Sequence, residues 1–531
     1  FFVADFFDTN NTYNTELKKH HFQFILGNPP WKTKGHPKEK QLFEKYIENR
    51  KKLENSNLEI ENREIAEAFL VRVSDFNFDE SGLIITSKVL YKISRKKEKK
   101  GVFRKYFLNH FLVRQVVELS SVRHQIFNNS NDSAVAPATI IFYKKENNTE
   151  KLRKNIVKHI SLKPNIFFET FKLMVIEKYD IKDVAQKFFI DEDWIWKVLV
   201  YGNILDYYFI KRLKDKYSSI RQIVQDTNRF LIGQGVMEGG GDENDFSEFL
   251  GYNYINSNKK DVSQYYLKYS DTWTNPIVHR NRNPLLFNEN VLLITGGTNN
   301  KFQSISAINY EKAVFKSSLT GIKVFNFKDI KILKAISAIL NSSFFSYYIL
   351  STGSSTGIER EETHDEEKWL VPFNENENLI KYYNVVEDFS RKIHNTTMHD
   401  DFLKKQLEDS IDNLNAEVIN LFEPSNQERD LIDYTNTVTI PLLKGKGIEK
   451  NKVISKIKYK DNILKKYCAI FIDHFGKRFN SEGHYFEVEV QWSDYLIMIK
   501  FKILSEPSKE KDLIKWSKLD DKELIINLTK L

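Results

Sequence analysis

Four consecutive residues, Asn28-Pro29-Pro30-Trp31, follow the apolar run Phe22 to Leu26 after a single glycine. Two successive prolines fix the backbone and remove two N–H donors, so the turn is stiff and presents carbonyls as acceptors. The Asn28 amide adds an acceptor oxygen, and Trp31 adds an aromatic face. Rigid acceptors beside a stacking platform suit an amino group on a planar ring, such as the exocyclic nitrogen of adenine. Hydrogen bonds accepted from that nitrogen favour the tetrahedral form that attacks an electrophile. The same tetrapeptide also serves as a stiff structural turn with its tryptophan packed inwards, because Asn-Pro and Pro-Pro steps are ordinary loop signals.

The elements that must position this turn are β-type apolar runs: Phe22 to Leu26, Leu83 to Thr86, Val113 to Leu119 and Ala138 to Tyr143. Between the first two, Gln41 to Asp75 carries Ile65, Phe69 and Val73 at helical spacing, and Val102 to Phe111 also reads as a helix. Strands alternating with helices predict an α/β domain, its sheet mostly parallel and helix-covered. The last run, after the turn-rich "NNSNDSAVAP", is placed to return antiparallel. Ligands of such sheets sit beyond the carboxyl ends of strands, where Asn28 falls. A doubly wound domain normally opens with a Gly-rich strand-to-helix turn, and none precedes Asn28. The strand at 22–26 is therefore expected to be an apolar edge, which proteins cover; an upstream segment or a separate chain would pair with it.

Length predicts two or three domains. With 41% apolar, 29% charged and 14% aromatic residues the composition is globular, which excludes a disordered chain. The formal charge of +8 permits a polyanionic partner without requiring one. A single cysteine, Cys468, excludes an internal disulfide framework and a cysteine zinc site. No HExxH or Cys/His spacing occurs, so no metal is expected. The absence of a run of about 18 apolar residues and of a signal-peptide pattern leads to the expectation of a cytoplasmic protein with no membrane partner.

Over residues 1 to 145 the segments "VADFF", "FQFILGNPPW", "EIAEAFLVRVSDFNFDESGLIITS" and "VVELSSVRHQIFNNSNDSAVAPATIIFYKK" resemble, in order and spacing, the gamma class of N6-adenine DNA methyltransferases. The resemblance implies part of a class I, Rossmann-like domain that uses S-adenosyl-L-methionine to methylate an adenine flipped from double-stranded DNA. It implies that Asn28 and the Pro29 carbonyl accept from the target amino group, that Pro30 completes the motif, and that Trp31 stacks on the base. Phe127 resembles the second aromatic that contacts the base. Asp5 and Phe6 resemble the cofactor-adenine motif, and Asn28 also borders the cofactor. Flipping costs a few kcal/mol, which aromatic stacking of ~1–3 kcal/mol per contact offsets. The family's Gly-rich cofactor loop has no counterpart here, so the isolated chain is expected to lack most contacts to the methionine part of the cofactor.

Residues 151–217, with "DWIWKVLVYGNILDYYFIKRL", read as a helical bridge. Residues 218–375, short apolar runs broken by Gly, Asn and Pro, resemble the β-rich target-recognition domain of single-chain restriction-modification methyltransferases. That resemblance offers His279, Arg280, Arg282, Asn300, Lys301 and Gln303 for DNA contact, mostly to phosphates. "GQGVMEGG" misses the G-x-G-x-x-G spacing and reads as a hairpin loop. The basic run Ser94 to Lys105 is either a phosphate contact or a solvated charge run. Residues 376–531 read as an α+β C-terminal region ending in two antiparallel strands, "YFEVEVQW" and "YLIMIKFKIL". Glu487 and Glu489 lack the following lysine of a nuclease site, so a restriction nuclease, where one acts, is expected outside residues 1–531. The alternatives that remain are a DNA-recognition fragment or subunit without catalysis, and a methyltransferase of an RNA or protein amide.

Overall fold

Each apolar run forms a strand longer than its apolar stretch: β1 (His21–Gly27), β2 (Asn77–Thr86), β3 (Phe111–Glu118) and β4 (Ala138–Lys145). A computed structural model describes residues 4–530 except 32–40, 61–63, 92–101, 127–136, 165–172, 193, 257–260, 281, 359–362, 364, 396–399, 445–456, 477, 480–482, 495 and 507–513. Two further strands, β5 (Ile156–Ser161) and β6 (Ile181–Ala185), join the same sheet in the order β1-β2-β4-β3-β5-β6. The β1–β2 and β3–β5 pairs are parallel, whereas β2–β4, β3–β4 and β5–β6 are antiparallel. The sheet is thus mixed rather than mostly parallel, and the fourth run does return antiparallel, inserted between β2 and β3. Residues 151–217 are more than a helical bridge, since they supply two of the six strands. Lys158 and His159 break the apolar run "IVKHIS" and conceal its strand character.

Helices α1 (Thr12–Leu17), α2 (Leu42–Glu54), α3 (Ile65–Arg72), α4 (Lys88–Tyr91) and α5 (Val102–His110) occur where the sequence changes to helical spacing. Asn11 caps α1 by accepting from the Tyr13 N–H, and a Gln41/Glu44 capping box starts α2. Ala66, Leu70 and Val71 of α3 and Phe103 and Phe107 of α5 share one core with Leu83, Ile85, Val113, Val116, Ile141 and Tyr143 of the sheet. Each such fully buried aliphatic side chain contributes about 1.5–3 kcal/mol. The opposite sheet face is more open. Phe24 is 61% and Leu26 is 70% exposed on edge strand β1. A depression of about 550 Å³ on the sheet is lined by Glu80, Gln115, Phe142, Ile156, Lys158 and Asp183.

Beyond β6, the helices Ile195–Tyr201 and Ile204–Lys216 lead to a four-stranded antiparallel sheet of Phe230–Gln234, Val291–Thr298, Ser304–Asn309 and Leu319–Val324. The segment "GQGVMEGG" is not a hairpin loop. The strand before it pairs with Leu319–Val324, and the strand after it, Asn244–Asp245, pairs with Ile277–Val278. The helices Ile330–Leu340, Ser343–Thr352, Glu377–Asn395 and Asp401–Asn420 complete this unit, which extends to residue 450. Residues 451–531 form a separate unit, where Tyr485–Trp492 and Ile497–Leu504 pair antiparallel as expected and Ile514–Lys518 adds a parallel third strand. There Glu487 and Glu489 are ion-paired with Lys515 and Lys502. No single helix among the described residues is long and apolar enough to cross a membrane.

One side chain fixes the register of β3. The β3–β4 ladder shifts between Val113 and Gln115, which marks a bulge. There Val113 donates to Gln186 Oε1 (3.1 Å) and accepts from Asn155 Nδ2 (2.6 Å), while Gln186 Nε2 donates to the carbonyls of Leu108 (2.8 Å) and Phe111 (2.9 Å). Gln186 is fully buried, and orphaning a buried polar group costs about 1–3 kcal/mol. Gln186→Leu is expected to lower unfolding stability by about 3 kcal/mol or more, read as a fall in the urea midpoint at unchanged m-value.

Candidate functional site

Three registers bring the strand ends to one level. Gly27 lies opposite Leu83, Leu83 opposite Ile141, and Ile141 opposite Val116. Asn28 after β1, Ser87 after β2, Leu119 after β3 and Ala138 at the start of β4 therefore share one end of the sheet. Within the turn Asn28 and Pro30 are exposed and Pro29 is buried. Trp31 is half-buried: its indole N–H donates to the Ile84 carbonyl (3.2 Å), and its ring packs against a cluster containing Leu119, Val122, Ala138, Ile160 and Leu162. Among the described residues neither the Asn28 amide nor the Pro29 carbonyl has a hydrogen-bond partner.

The prolines explain why that amide stays open. A turn asparagine ordinarily accepts from the N–H two residues on, as Asn11 does from Tyr13 (2.9 Å) and Asn283 from Leu285 (3.1 Å). For Asn28 that residue is Pro30, which has no N–H. The tetrapeptide thus has a packed, tethered indole and, on the exposed Asn28, an acceptor left open.

The other residues named from the sequence are placed less uniformly. Phe127 and the part of the basic run from Ser94 to Gly101 lie outside the described residues. Asp5 accepts from the Phe7 N–H (2.8 Å). Phe6 stacks on Phe69 and Phe76, and its carbonyl accepts from Arg72 Nε (2.8 Å). Phe76 and Asp75 immediately precede β2, so this aromatic cluster lies toward the amino end of that strand and is not brought together with Asn28 at the carboxyl end. Arg72, fully buried, ties it down through an ion pair with Asp75 (2.5 Å).

In the second sheet Gln234 pairs with Thr320, and Leu319 pairs with Thr295, so Gly235 and the turn at residues 299–303 lie at the same end. Arg282 Nε donates to the Gly235 carbonyl (2.9 Å), which brings Arg282 there. Arg280 bridges Met237 and is exposed, as are Asn300 and Lys301. His279 accepts from the Asp242 N–H (3.0 Å), and its ring is so close to Gly240 that a Cβ there would fall 2.1 Å from it. Gln303 is the exception. It is buried, with its Oε1 accepting from Asn299 Nδ2 (2.9 Å) and its N–H donating to Asn299 Oδ1 (3.0 Å), so it closes the turn. Among the described residues no group of three or more His, Cys, Asp or Glu side chains is placed to hold a metal.

A buried polar centre at the same strand ends was not singled out from the sequence. Glu118, fully buried at the end of β3, accepts from Ser87 Oγ (3.0 Å), the Ser120 N–H (2.8 Å) and the Tyr91 hydroxyl. Burial raises its carboxyl above the usual range, against the lowering effect of those bonds. Tyr201, whose hydroxyl donates to the Gly357 carbonyl, and the buried Lys197, which donates to the Leu350 carbonyl, adjoin it electrostatically. The only trace in the sequence is one acid at an inward position of the run "VVEL".

No family model matches the sequence, and no curated protein does. Among solved structures the chain is similar to the type IIG restriction endonuclease BpuSI, at TM-score 0.30 and 9% identity over 76% of this chain and 54% of that one. It is similar to the type IIL restriction-modification enzyme MmeI in complex with DNA, at TM-score 0.44 and 11% identity over 79% and 57%. It is also similar to the ATP-dependent type ISP restriction-modification enzyme LlaBIII bound to DNA, at TM-score 0.35 and 11% identity over 76% and 31%. The chain spans little more than half the length of the first two. At this distance function has to be argued from the site itself.

Burial lowers the Lys197 amine to about 7, with Glu367 and Glu118 opposing the shift. An unfolded lysine stays protonated to about pH 10.4. Between pH 7 and about 10 the unfolded chain therefore binds the extra proton, and this group makes stability rise with pH across that window. Below pH 7 both states are protonated and the cost of burying the charge is complete. Lys197→Met removes this dependence, so the stability of wild type relative to the variant, taken from urea midpoints, is expected to grow as pH is raised from 7 to 10.

Proposed function

We propose that the β1–β6 unit is the base-binding half of a site-specific adenine-N6 DNA methyltransferase of a restriction-modification or phage-defence system. One observation carries this reading: the Asn28 amide and the Pro29 carbonyl are both without partners at the carboxyl end of a sheet strand, beside a tethered indole. Two acceptors on a turn that cannot move suit the two hydrogens of an adenine amino group. Accepting from them localises the nitrogen lone pair and matches the charge that develops as it attacks an electrophilic methyl group. Holding the base at a fixed approach supplies the remainder. The exposed Arg280, Asn300 and Lys301, with Arg282 at the same sheet end, would meet double-stranded DNA, mainly at phosphates.

The cofactor of this reading is S-adenosyl-L-methionine. The described residues do not fit a complete site for it. Asp5 and Phe6 are held toward the amino end of β2, and edge strand β1 has no neighbour beyond it. A further element pairing with β1, from an upstream segment or a separate chain, would supply the donor side; its exposed Phe24 and Leu26 are the basis for placing that element there. The same misfit favours a second reading, a DNA-recognition fragment or subunit that cannot bind cofactor alone. A restriction nuclease partner accords with either.

Calorimetric titration of S-adenosyl-L-methionine into the chain, and into a form extended upstream to include an element that pairs with β1, followed by transfer of labelled methyl from each to unmethylated duplex DNA, decides between them. Methyl transfer that Asn28→Ala reduces on the order of 100- to 1,000-fold, with DNA binding kept, is the expected outcome. DNA binding without cofactor binding or transfer supports the recognition module instead. Pro30→Ala supplies the missing N–H for Asn28 to close upon, and is expected to reduce transfer while leaving the melting temperature unchanged.

A further inference from the structure

The carboxylate of Glu118 is shared between the segments that leave two strands. Ser87 follows β2, Tyr91 closes α4 and Ser120 follows β3, and all three donate to it. Ser120 Oγ also donates to Ser87 Oγ (3.0 Å), which closes the ring of bonds, and Arg123 donates to the Ser120 carbonyl (2.8 Å). The neighbours of Glu118 in sequence turn the other way: Val117 and Leu119 belong to the apolar cluster that seats Trp31. The end of β3 therefore supports the indole on one face and carries a buried acid on the other. Backbone bonds carry the same segments across the start of β4, from the Ser87 N–H to the Pro137 carbonyl and from the Leu119 N–H to the Ala138 carbonyl (both 3.0 Å).

Stability alone does not call for an acid here. Apolar residues of similar volume commonly replace buried ionic groups at no cost, and buried ionisable networks concentrate at functional sites. We propose that Glu118 is a positioning residue of the adenine site: it locks the exits of β2 and β3 to each other and so fixes the seat of Trp31 beside the Asn28 acceptors. This rests on the methyltransferase reading above. Glu118 does not touch the base. Its effect passes through Ser87, Ser120 and the backbone that bears the indole.

The test is methyl transfer to duplex DNA by wild type, Glu118→Ala, Glu118→Gln and Tyr91→Phe, each in the form extended upstream to include an element that pairs with β1, with kcat and the KM for DNA measured separately. Glu118→Ala leaves three donors without an acceptor and is expected to lower kcat by up to about 100-fold at unchanged KM. Glu118→Gln keeps a carbonyl oxygen for Ser87 and Ser120 and is expected to recover most of that loss. Tyr91→Phe removes one donor only, so it keeps the proposal testable if Glu118→Ala does not fold; a severalfold fall in kcat at unchanged KM is expected. An active wild type with Tyr91→Phe and either Glu118 variant at full rate, or losses that follow the melting temperature and raise KM equally, overturns the proposal alone. A wild type that binds cofactor and DNA but transfers no methyl group overturns the methyltransferase reading, and the proposal falls with it.

Discussion

The carboxyl ends of β1, β2 and β3 lie at one end of the sheet because three registers agree, from Gly27 to Leu83, to Ile141, to Val116. A slip of one residue in any of them would reverse the faces of that strand. It would carry Val117 and Leu119 away from Trp31 and turn the Glu118 carboxylate to the open side. Two side chains far from the turn hold this agreement in place. Gln186 and Asn155 take up both polar groups of Val113 where β3 bulges, so the ladder resumes at Gln115 in the register that the strand end requires.

One group of buried polar contacts in the first unit begins at Glu118. From Glu118 it runs by Tyr201 to the Gly357 carbonyl and by Lys197 to the Leu350 carbonyl, both near the end of the helix Ser343–Thr352. Glu367 accepts from the Ser354 N–H (2.7 Å) and hydroxyl (2.6 Å), and the buried Lys368 donates to the carbonyls of Thr295 (2.5 Å) and Gly296 (3.3 Å). Thr295 stands at the end of the second sheet that gathers Gly235, Arg282 and the 299–303 turn. These contacts lie in a dry interior, where each costs free energy to break.

The parts legible in the sequence were those encoded by local pattern. β1 to β4 are apolar runs, and α2, α3 and α5 between them fall in the two stretches of helical spacing. β5 escaped because its alternation includes His159, buried without a hydrogen-bond partner for either ring nitrogen, and Lys158. Side-chain roles that depend on remote partners were illegible. Gln303 bonds to Asn299, four residues back. Phe6 stacks on Phe69 and Phe76, some 60 to 70 residues on. Glu118 looks like any acid in a strand until the register shows what faces it.

What was legible in the tetrapeptide, and what the structure added, meet at Pro30. Asparagines of this chain repeatedly close on the N–H two residues ahead: Asn203 on Leu205 (2.7 Å), Asn275 on Ile277 (3.1 Å), Asn299 on Lys301 (2.9 Å), Asn326 on Lys328 (3.0 Å). In each of them the side-chain oxygen is already engaged within the turn. A proline two residues on makes the closure unavailable, and a proline one residue on removes the next nearest donor. Because the β1 ladder has already ended at Gly27, neither proline costs a strand hydrogen bond. The tryptophan then supplies the rigidity that the amide would otherwise have provided, through its bond to Ile84 on the neighbouring strand. The acceptor is thus kept open at low cost, in a turn held still by something else.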